Sequence, residues 1–391
     1  MKKAFQNLLL IFFGFLAAFL VAEIYTRLTE FKSVLPTECR VEDKIIHHKL
    51  KPNSNCKYVT KEWDIDYRIN SLGLRDKEIS KVKPKGFYRI LVLGDSFVEG
   101  QGVNLEDTFV KGLEKLLADK YRNIQVLNGG VISYSPILEY LYLKNFGLEL
   151  KPDLVIVNFD LTDFQNELEY EKNTIYDKEG KPIAVDSERR VETPTQREED
   201  KKIPDVTIPF LPLFIKQFLH DNSKFYLFAT IKIKGLLGKA VPGYTKGDIR
   251  EDTFALTREE KPKDYEKAFV LPEKHLLLIK QLLKKENIPF ILTAQPSANQ
   301  VSGKEWATGR LFHGFRIGKI YPSRHLDDLK NFAEKEDIRF ISFLKDFRES
   351  RQYPLFFPED GHLTQNGHQL IAEELLKFLI DSSYISNNFL R

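Results

Sequence analysis

A serine after an apolar run and a histidine near the far end are the residues best suited to chemistry in this chain. Arg89-Ile90-Leu91-Val92-Leu93 reads as a buried strand that breaks at Gly94-Asp95-Ser96-Phe97. A strand ending in glycine presents the next hydroxyl at the carboxyl edge of a sheet, where open α/β sheets carry their sites. Far downstream, Glu359-Asp360-Gly361-His362 stands just before an amphipathic stretch. A serine hydroxyl is a poor nucleophile until a neutral imidazole takes its proton, and a carboxylate on the other ring nitrogen fixes the tautomer. Ser96, His362 and Asp360 have the side-chain types for nucleophile, base and orienting acid. Gly-Asp-Ser alone is a common turn; its pairing with Asp360-Gly361-His362 makes the pattern specific. The other common serine-hydrolase arrangement is excluded, because Gly94–Val98 lacks the second glycine of a nucleophile elbow.

The elements that must hold these residues alternate. Strands are expected at 88–93, 124–127, 154–157, 290–293 and 339–343. Helices are expected at 109–120, 137–146, 272–286, 326–335 and 365–380, the last capped by Thr364. That order predicts an α/β fold with a central parallel sheet covered on both faces. Residues at about 165–270 break the rhythm and read as an insertion. In it, 186–205 is a charged excursion and 208–219 and 225–237 are apolar helices. Trp63–Ile69 alternates apolar and polar like a half-buried strand. Three regions follow: 1–28 as a membrane anchor or signal peptide, 29–84 as a stalk and N-terminal adornment, and 85–385 as the catalytic domain with its insertion.

Lys2 and Lys3 precede an uncharged apolar stretch from Leu8 to Ala22, which predicts a cytoplasmic start and an exported remainder. The reading is single-pass, with the catalytic domain outside the membrane. The alternative is a cleaved signal peptide and a secreted or periplasmic protein, but a Leu or Phe occupies the outer cleavage position at every candidate site. Outside the membrane, Cys39 and Cys56 are expected to pair, worth about 3 kcal/mol by loop entropy; two separate thiols are the alternative. A formal charge of +3 with interleaved signs leaves no nucleic-acid footprint. No cofactor or metal is expected. Gly100-Gln101-Gly102 lacks the Lys-Ser/Thr of a phosphate loop, and His47 and His48 between the cysteines make a poor zinc site.

At Ser96 and His362 the chain resembles the SGNH/GDSL-type hydrolases, on Ile90-Leu91-Val92-Leu93-Gly94-Asp95-Ser96-Phe97-Val98-Glu99-Gly100 and Asp360-Gly361-His362. The resemblance covers about 85–165 and 350–380. It implies a flavodoxin-like three-layer sandwich and an esterase or acyltransferase with Ser96 as nucleophile, His362 as base and Asp360 as acid. Glu359 stands where many members carry the acid; some exported glycan acetyltransferases carry it at the position of Asp360. The oxyanion hole it implies departs from the family pattern. Besides the Ser96 amide it would use Ser133 in place of a glycine and Thr162 in place of an asparagine. Losing one such donor costs roughly 3 kcal/mol.

Asp95 and Asp163 are possible auxiliary groups, with Asp160 and Asp163 read alternatively as helix caps. His368 is expected to be an exposed helix residue, and the charged run 258–267 a solvated face. Trp306, Phe312, His313 and Phe315 read as core, with a sugar-stacking cleft as the alternative. The expected substrate is an acyl ester of envelope carbohydrate or lipid. The alternative is a non-catalytic, membrane-anchored glycan-binding or assembly protein on the same fold. The sequence names no protein partner.

Overall fold

The computed structural model describes residues 2–29, 33–187, 212–226, 228–229, 249–250 and 252–390. Most of the expected charged excursion, and the expected helix beyond residue 229, lie outside these residues. Ahead of the main sheet come two antiparallel hairpins, β1 (Arg40–Asp43) with β2 (His47–Leu50) and β3 (Ser54–Val59) with β4 (Asp64–Ile69). The β4 alternation buries Ile65, Tyr67 and Ile69 and exposes Asp64, Asp66 and Arg68. A Cys39–Cys56 disulfide ties the two hairpins.

The main sheet has five strands: β5 (Tyr88–Gly94), β6 (Ile124–Gly130), β7 (Leu154–Phe159), and, beyond the small β8 (Thr174–Tyr176)–β9 (Pro182–Val185) hairpin, β10 (Phe290–Ala294) and β11 (Arg339–Ser342). Their spatial order is β6-β5-β7-β10-β11, all parallel, so the fold is a three-layer α/β sandwich with flavodoxin-like order. The direction of strand addition reverses between β5 and β7. Such a reversal opens a crevice at the carboxyl ends of the two strands, because their following segments leave to opposite sides.

Strand periodicity divides the core. Ile90, Val92, Leu154 and Ile156 pack beneath helices Phe109–Lys120 and Gln365–Asp381. Leu91, Leu93, Val155 and Val157 face helices Pro136–Asn145, Asp163–Glu171 and Tyr265–Lys285. Each such side chain contributes about 1.5–3 kcal/mol by leaving water. Tyr58, Trp63, Tyr67 and Leu74 share this second core, so the N-terminal hairpins pack onto the α/β domain.

Two elements differ from expectation. The helix expected from 272 begins at Tyr265 and runs through Pro272. A proline in the interior forgoes one hydrogen bond, but Ala268, Phe269, His275 and Leu276 on the buried face hold the helix across the gap. The β8–β9 hairpin was not anticipated; it turns at Gly180, whose φ is 74°. At the N-terminus, helix Lys2–Leu28 stands with an exposed apolar surface. Its Phe5–Leu28 portion, in which an 18-residue window reaches a mean hydropathy of 2.4, is long and apolar enough to cross a membrane.

Candidate active site

Ser96 reaches the switch-point crevice because β5 ends at Gly94 (φ 155°), where any Cβ would lie 2.4 Å from Val98 Cγ2. Asp95 then caps the short helix Ser96–Glu99, its Oδ1 accepting the Phe97 N–H at 2.9 Å. Gly100 (φ 86°) ends that helix. The turn is held from below by buried Arg75, which donates to the carbonyls of Glu99 (2.7 Å), Gly100 (2.6 Å) and Val103 (2.6 Å). Buried Glu99 pairs with Arg40 at 3.0 Å and accepts the Ile132 N–H at 2.6 Å.

His362 arrives from the loop before the last helix, which Thr364 caps through the Gly367 N–H. The Glu305 carboxylate accepts the N–H groups of Leu355 (3.2 Å) and Phe356 (3.0 Å). Glu62, from the β3–β4 turn, accepts those of Glu359 and Asp360 at 2.8 Å each. Trp306 Nε1 donates to the Glu359 carbonyl at 3.1 Å. Two separate segments, one carrying Glu62 and the other Glu305-Trp306, thus clamp one loop.

The clamp brings the expected residues together. Ser96 Oγ lies 2.7 Å from His362 Nε2. His362 Nδ1 is hydrogen-bonded to Asp360 Oδ1, which also accepts the His362 N–H at 3.1 Å. Glu359 points to solvent and does not reach the imidazole. Burial works against the imidazolium, but the charge and hydrogen bond of Asp360 prevail and raise His362 above the ordinary histidine value. Burial likewise disfavours the Asp360 carboxylate, and the attraction and hydrogen bonds of His362 outweigh it, leaving Asp360 below its usual range.

These groups open onto a cavity of about 310 Å³. Ser133 lines it at φ 59°, the left-handed region that a glycine enters without strain. Thr162 lines it too, but its hydroxyl donates to Asp95 Oδ2 at 3.3 Å. Beneath lie buried carboxyl groups. Asp160 Oδ1 accepts the Thr162 N–H, and Asp163 Oδ2 accepts the Asp160 N–H at 2.9 Å; both hold the turn, while the N-cap of helix Asp163–Glu171 is Thr162, not either aspartate as the capping alternative had it. Burial first, and the Asp160 charge second, push both Asp95 and Asp163 well above the carboxylate range. The floor of the site therefore favours neutral carboxyl groups. Leu161, Phe254, Pro296 and Trp306 supply apolar wall, and Gln165, Asn166, Gln295 and Ser297 its polar lining.

One expectation is corrected. His368 is buried, with Nδ1 accepting the Phe109 N–H at 3.2 Å and its ring stacked on Phe109. Its helix packs against Phe109–Lys120, so this face is interior, and burial pushes the imidazole down to about 3, keeping it neutral. Of the aromatic group, Trp306 and Phe315 are core residues, while Phe312 is partly exposed and Trp306 also forms cavity wall.

Other participants were missed. Phe97 stacks on the His362 ring with centroids 4.6 Å apart. Gln101 Nε2 lies 3.5 Å from Asp360 Oδ2 and 3.3 Å from His362 Nδ1. Gln101 sits inside Gly100-Gln101-Gly102, a run that reads only as a phosphate loop and fails as one for lack of Lys-Ser/Thr. Glu62 has no local signal at all. Among the described residues, no cluster of His, Cys, Asp and Glu is arranged to hold a metal.

No family model and no curated protein matches the chain. Solved structures that resemble it include an acetylxylan esterase from Geobacillus stearothermophilus (15% identity, 76% of this chain and 95% of that one, TM-score 0.36). A GDSL-like lipase from Bacteroides thetaiotaomicron is similar at 12% identity over 77% and 92% of the two chains, TM-score 0.34. A further acetyl xylan esterase is similar at 13% identity over 74% and 99%, TM-score 0.36. With likeness this distant, the chemistry has to be read from the chain's own residues.

Proposed function

We propose that the protein is an exported, membrane-anchored serine esterase or O-acyltransferase of the SGNH/GDSL type, acting on acyl esters of envelope carbohydrate or lipid through an acyl-enzyme on Ser96. The observation that carries this reading is the Ser96 Oγ–His362 Nε2 contact of 2.7 Å, with Asp360 on Nδ1, at the mouth of a cavity of about 310 Å³. His362 takes the Ser96 proton as Oγ attacks the acyl carbon. Asp360 keeps Nδ1 protonated and offsets the imidazolium charge. The backbone N–H groups of Ser96 and Ser133, with the Thr162 hydroxyl turned from Asp95, receive the oxyanion. His362 then gives the proton to the leaving alcohol, and water or a sugar hydroxyl resolves the ester by the same steps in reverse.

Export is supported by the two lysines ahead of the apolar helix and by the disulfide, which persists in oxidising compartments. Trp306 and Phe254 beside amide side chains suit a sugar ring next to a short acyl group. The test is turnover of p-nitrophenyl acetate, with and without a glycan acceptor. Absence of both ester loss and acetylated glycan with every short-chain donor would overturn the enzyme reading.

One observation favours a second reading, a glycan-binding or assembly protein that has lost catalysis: the Thr162 hydroxyl is engaged by Asp95 over an acidic floor. A fluorophosphonate probe separates the two. Stoichiometric labelling, abolished by Ser96→Ala, rules out the binding-only protein.

A further inference from the structure

The insertion returns to the N-terminal helix. The Glu23 carboxylate accepts hydrogen bonds from Ser223 Oγ (2.7 Å) and from the N–H groups of Lys224 (3.1 Å) and Phe225 (3.0 Å). Arg27 Nη2 donates to the Asn222 carbonyl at 2.7 Å. Arg27 therefore closes the end of helix Leu213–Asn222, and Glu23 opens the turn that follows it. The contact continues past the charged residues, since the Phe225 ring meets that of Phe19 edge-on at 5.6 Å. Phe19 lies one turn below Glu23, about 6 Å deeper along the axis at 1.5 Å per residue. It sits inside the uncharged stretch Leu8–Ala22.

On helix Leu213–Asn222, Phe214 and Phe218 are four residues apart and share a face. They are 73% and 64% exposed. Two neighbouring phenylalanines held open to water are costly, at about 25 cal/mol per Å² of apolar surface. Half-buried Lys216 lies between them in sequence.

We propose that helix Leu213–Asn222 is an interfacial helix, lying in the headgroup region of the bilayer that the N-terminal helix spans, with Phe214 and Phe218 directed to the acyl chains. The occupant of this face is the lipid surface itself. A segment that touches a spanning helix about 6 Å inside its charged end is at the depth where amphipathic helices rest, roughly 5–10 Å into the headgroup–acyl boundary. Phe225 against Phe19 supplies that depth. The clamp at Glu23 and Arg27 fixes the helix beside the anchor, so membrane contact follows from continuity with the span. The insertion re-enters the domain at Thr253 and Phe254, both in the cavity wall.

This inference rests on the reading of Phe5–Leu28 as a membrane span, and the experiment keeps the two apart. The full chain is reconstituted in phosphatidylcholine bilayers containing lipids brominated either near the top or near the middle of the acyl chain, and tryptophan emission is compared with that in unbrominated bilayers. The two native tryptophans, Trp63 and Trp306, are buried at 7% and 3% exposure and give a low baseline. Phe12→Trp reports on the span; Phe214→Trp and Phe218→Trp report on the insertion helix. The expected result is that the shallow bromines quench Phe214→Trp and Phe218→Trp more than the deep ones do, and that the deep bromines quench Phe12→Trp more than the shallow ones do. Quenching of Phe12→Trp alone overturns the interfacial helix and leaves the span in place. If the chain is then a dimer that the double substitution Phe214→Ser, Phe218→Ser dissolves, the face belongs to a second copy. No quenching of Phe12→Trp removes the span and the inference with it.

Discussion

Substituting Asp360 by Asn tests the acid assignment most sharply, because Glu359 is adjacent and differs by one methylene. The Asp360 carboxylate contacts His362 Nδ1 and fixes that nitrogen as the donor, which leaves Nε2 free to accept from Ser96 Oγ at 2.7 Å. An asparagine at this position can turn its NH₂ toward Nδ1. Gln101 Nε2, 3.3 Å from the same nitrogen, already offers a donor there. With the carboxylate gone, both neighbours favour the tautomer in which Nε2 carries the proton and cannot receive one from serine. The cost of that tautomer in a serine triad is about 10⁴-fold in kcat, equivalent to about 5.5 kcal/mol. Glu359→Gln is expected to change kcat less than about twofold, since surface substitutions away from such contacts are nearly neutral. Its side chain is exposed, and only its backbone is used, the carbonyl by Trp306 and the N–H by Glu62. The assay is turnover of a chromogenic ester, with near-ultraviolet circular dichroism to show that both variants stay folded. A crippled Glu359→Gln beside a mild Asp360→Asn would refute the assignment and its geometric basis.

The base must be neutral to act, and Asp360 raises His362 against the opposing effect of burial. So kcat/KM should climb with pH through an apparent pKa above about 6.5, and Asp360→Asn should lower that midpoint; a profile flat from pH 6 to 8 would contradict it. Glu62→Ala removes the acceptor for the Glu359 and Asp360 N–H groups, so kcat should fall about 10–100-fold with KM little changed. An unchanged kcat would show that the loop holds its acid without Glu62. Glu139 is buried with both carboxyl oxygens unpartnered, and burial, then Glu167 and Asp160, raise it well above 4.5. A raised acid penalises the native state as pH climbs above its unfolded value, so Glu139→Gln should raise Tm at pH 8 and lose that advantage below about pH 4. Equal Tm gains at both pH values would assign the effect to packing instead. Reducing the Cys39–Cys56 bond should lower unfolding stability by about 3 kcal/mol in denaturant titrations with and without reductant.

Apolar periodicity located every strand of the main sheet and, to within a few residues, four of the helices around it, because buried strands and amphipathic helices write their contacts into local spacing; it placed the start of Tyr265–Lys285 seven residues late and did not show Asp163–Glu171. Gly94-Asp95-Ser96 and Asp360-Gly361-His362 were legible for a related reason: each needs its neighbours in a fixed local turn. His368 was misjudged because a polar residue on an amphipathic helix reads as solvent-facing, whereas here it accepts the Phe109 N–H from the packed neighbour helix. Glu62, Gln101 and Phe97 acquire their roles only when segments hundreds of residues apart meet. Glu62 and Asp360 are 298 positions apart in the chain, yet 2.8 Å from oxygen to nitrogen. Local sequence carries no record of such a contact. Which carboxylate meets the imidazole was likewise decided by tertiary geometry: Glu359 and Asp360 are chemically alike, and only the path of the loop over Glu62 and Trp306 aims one at the imidazole and the other at water.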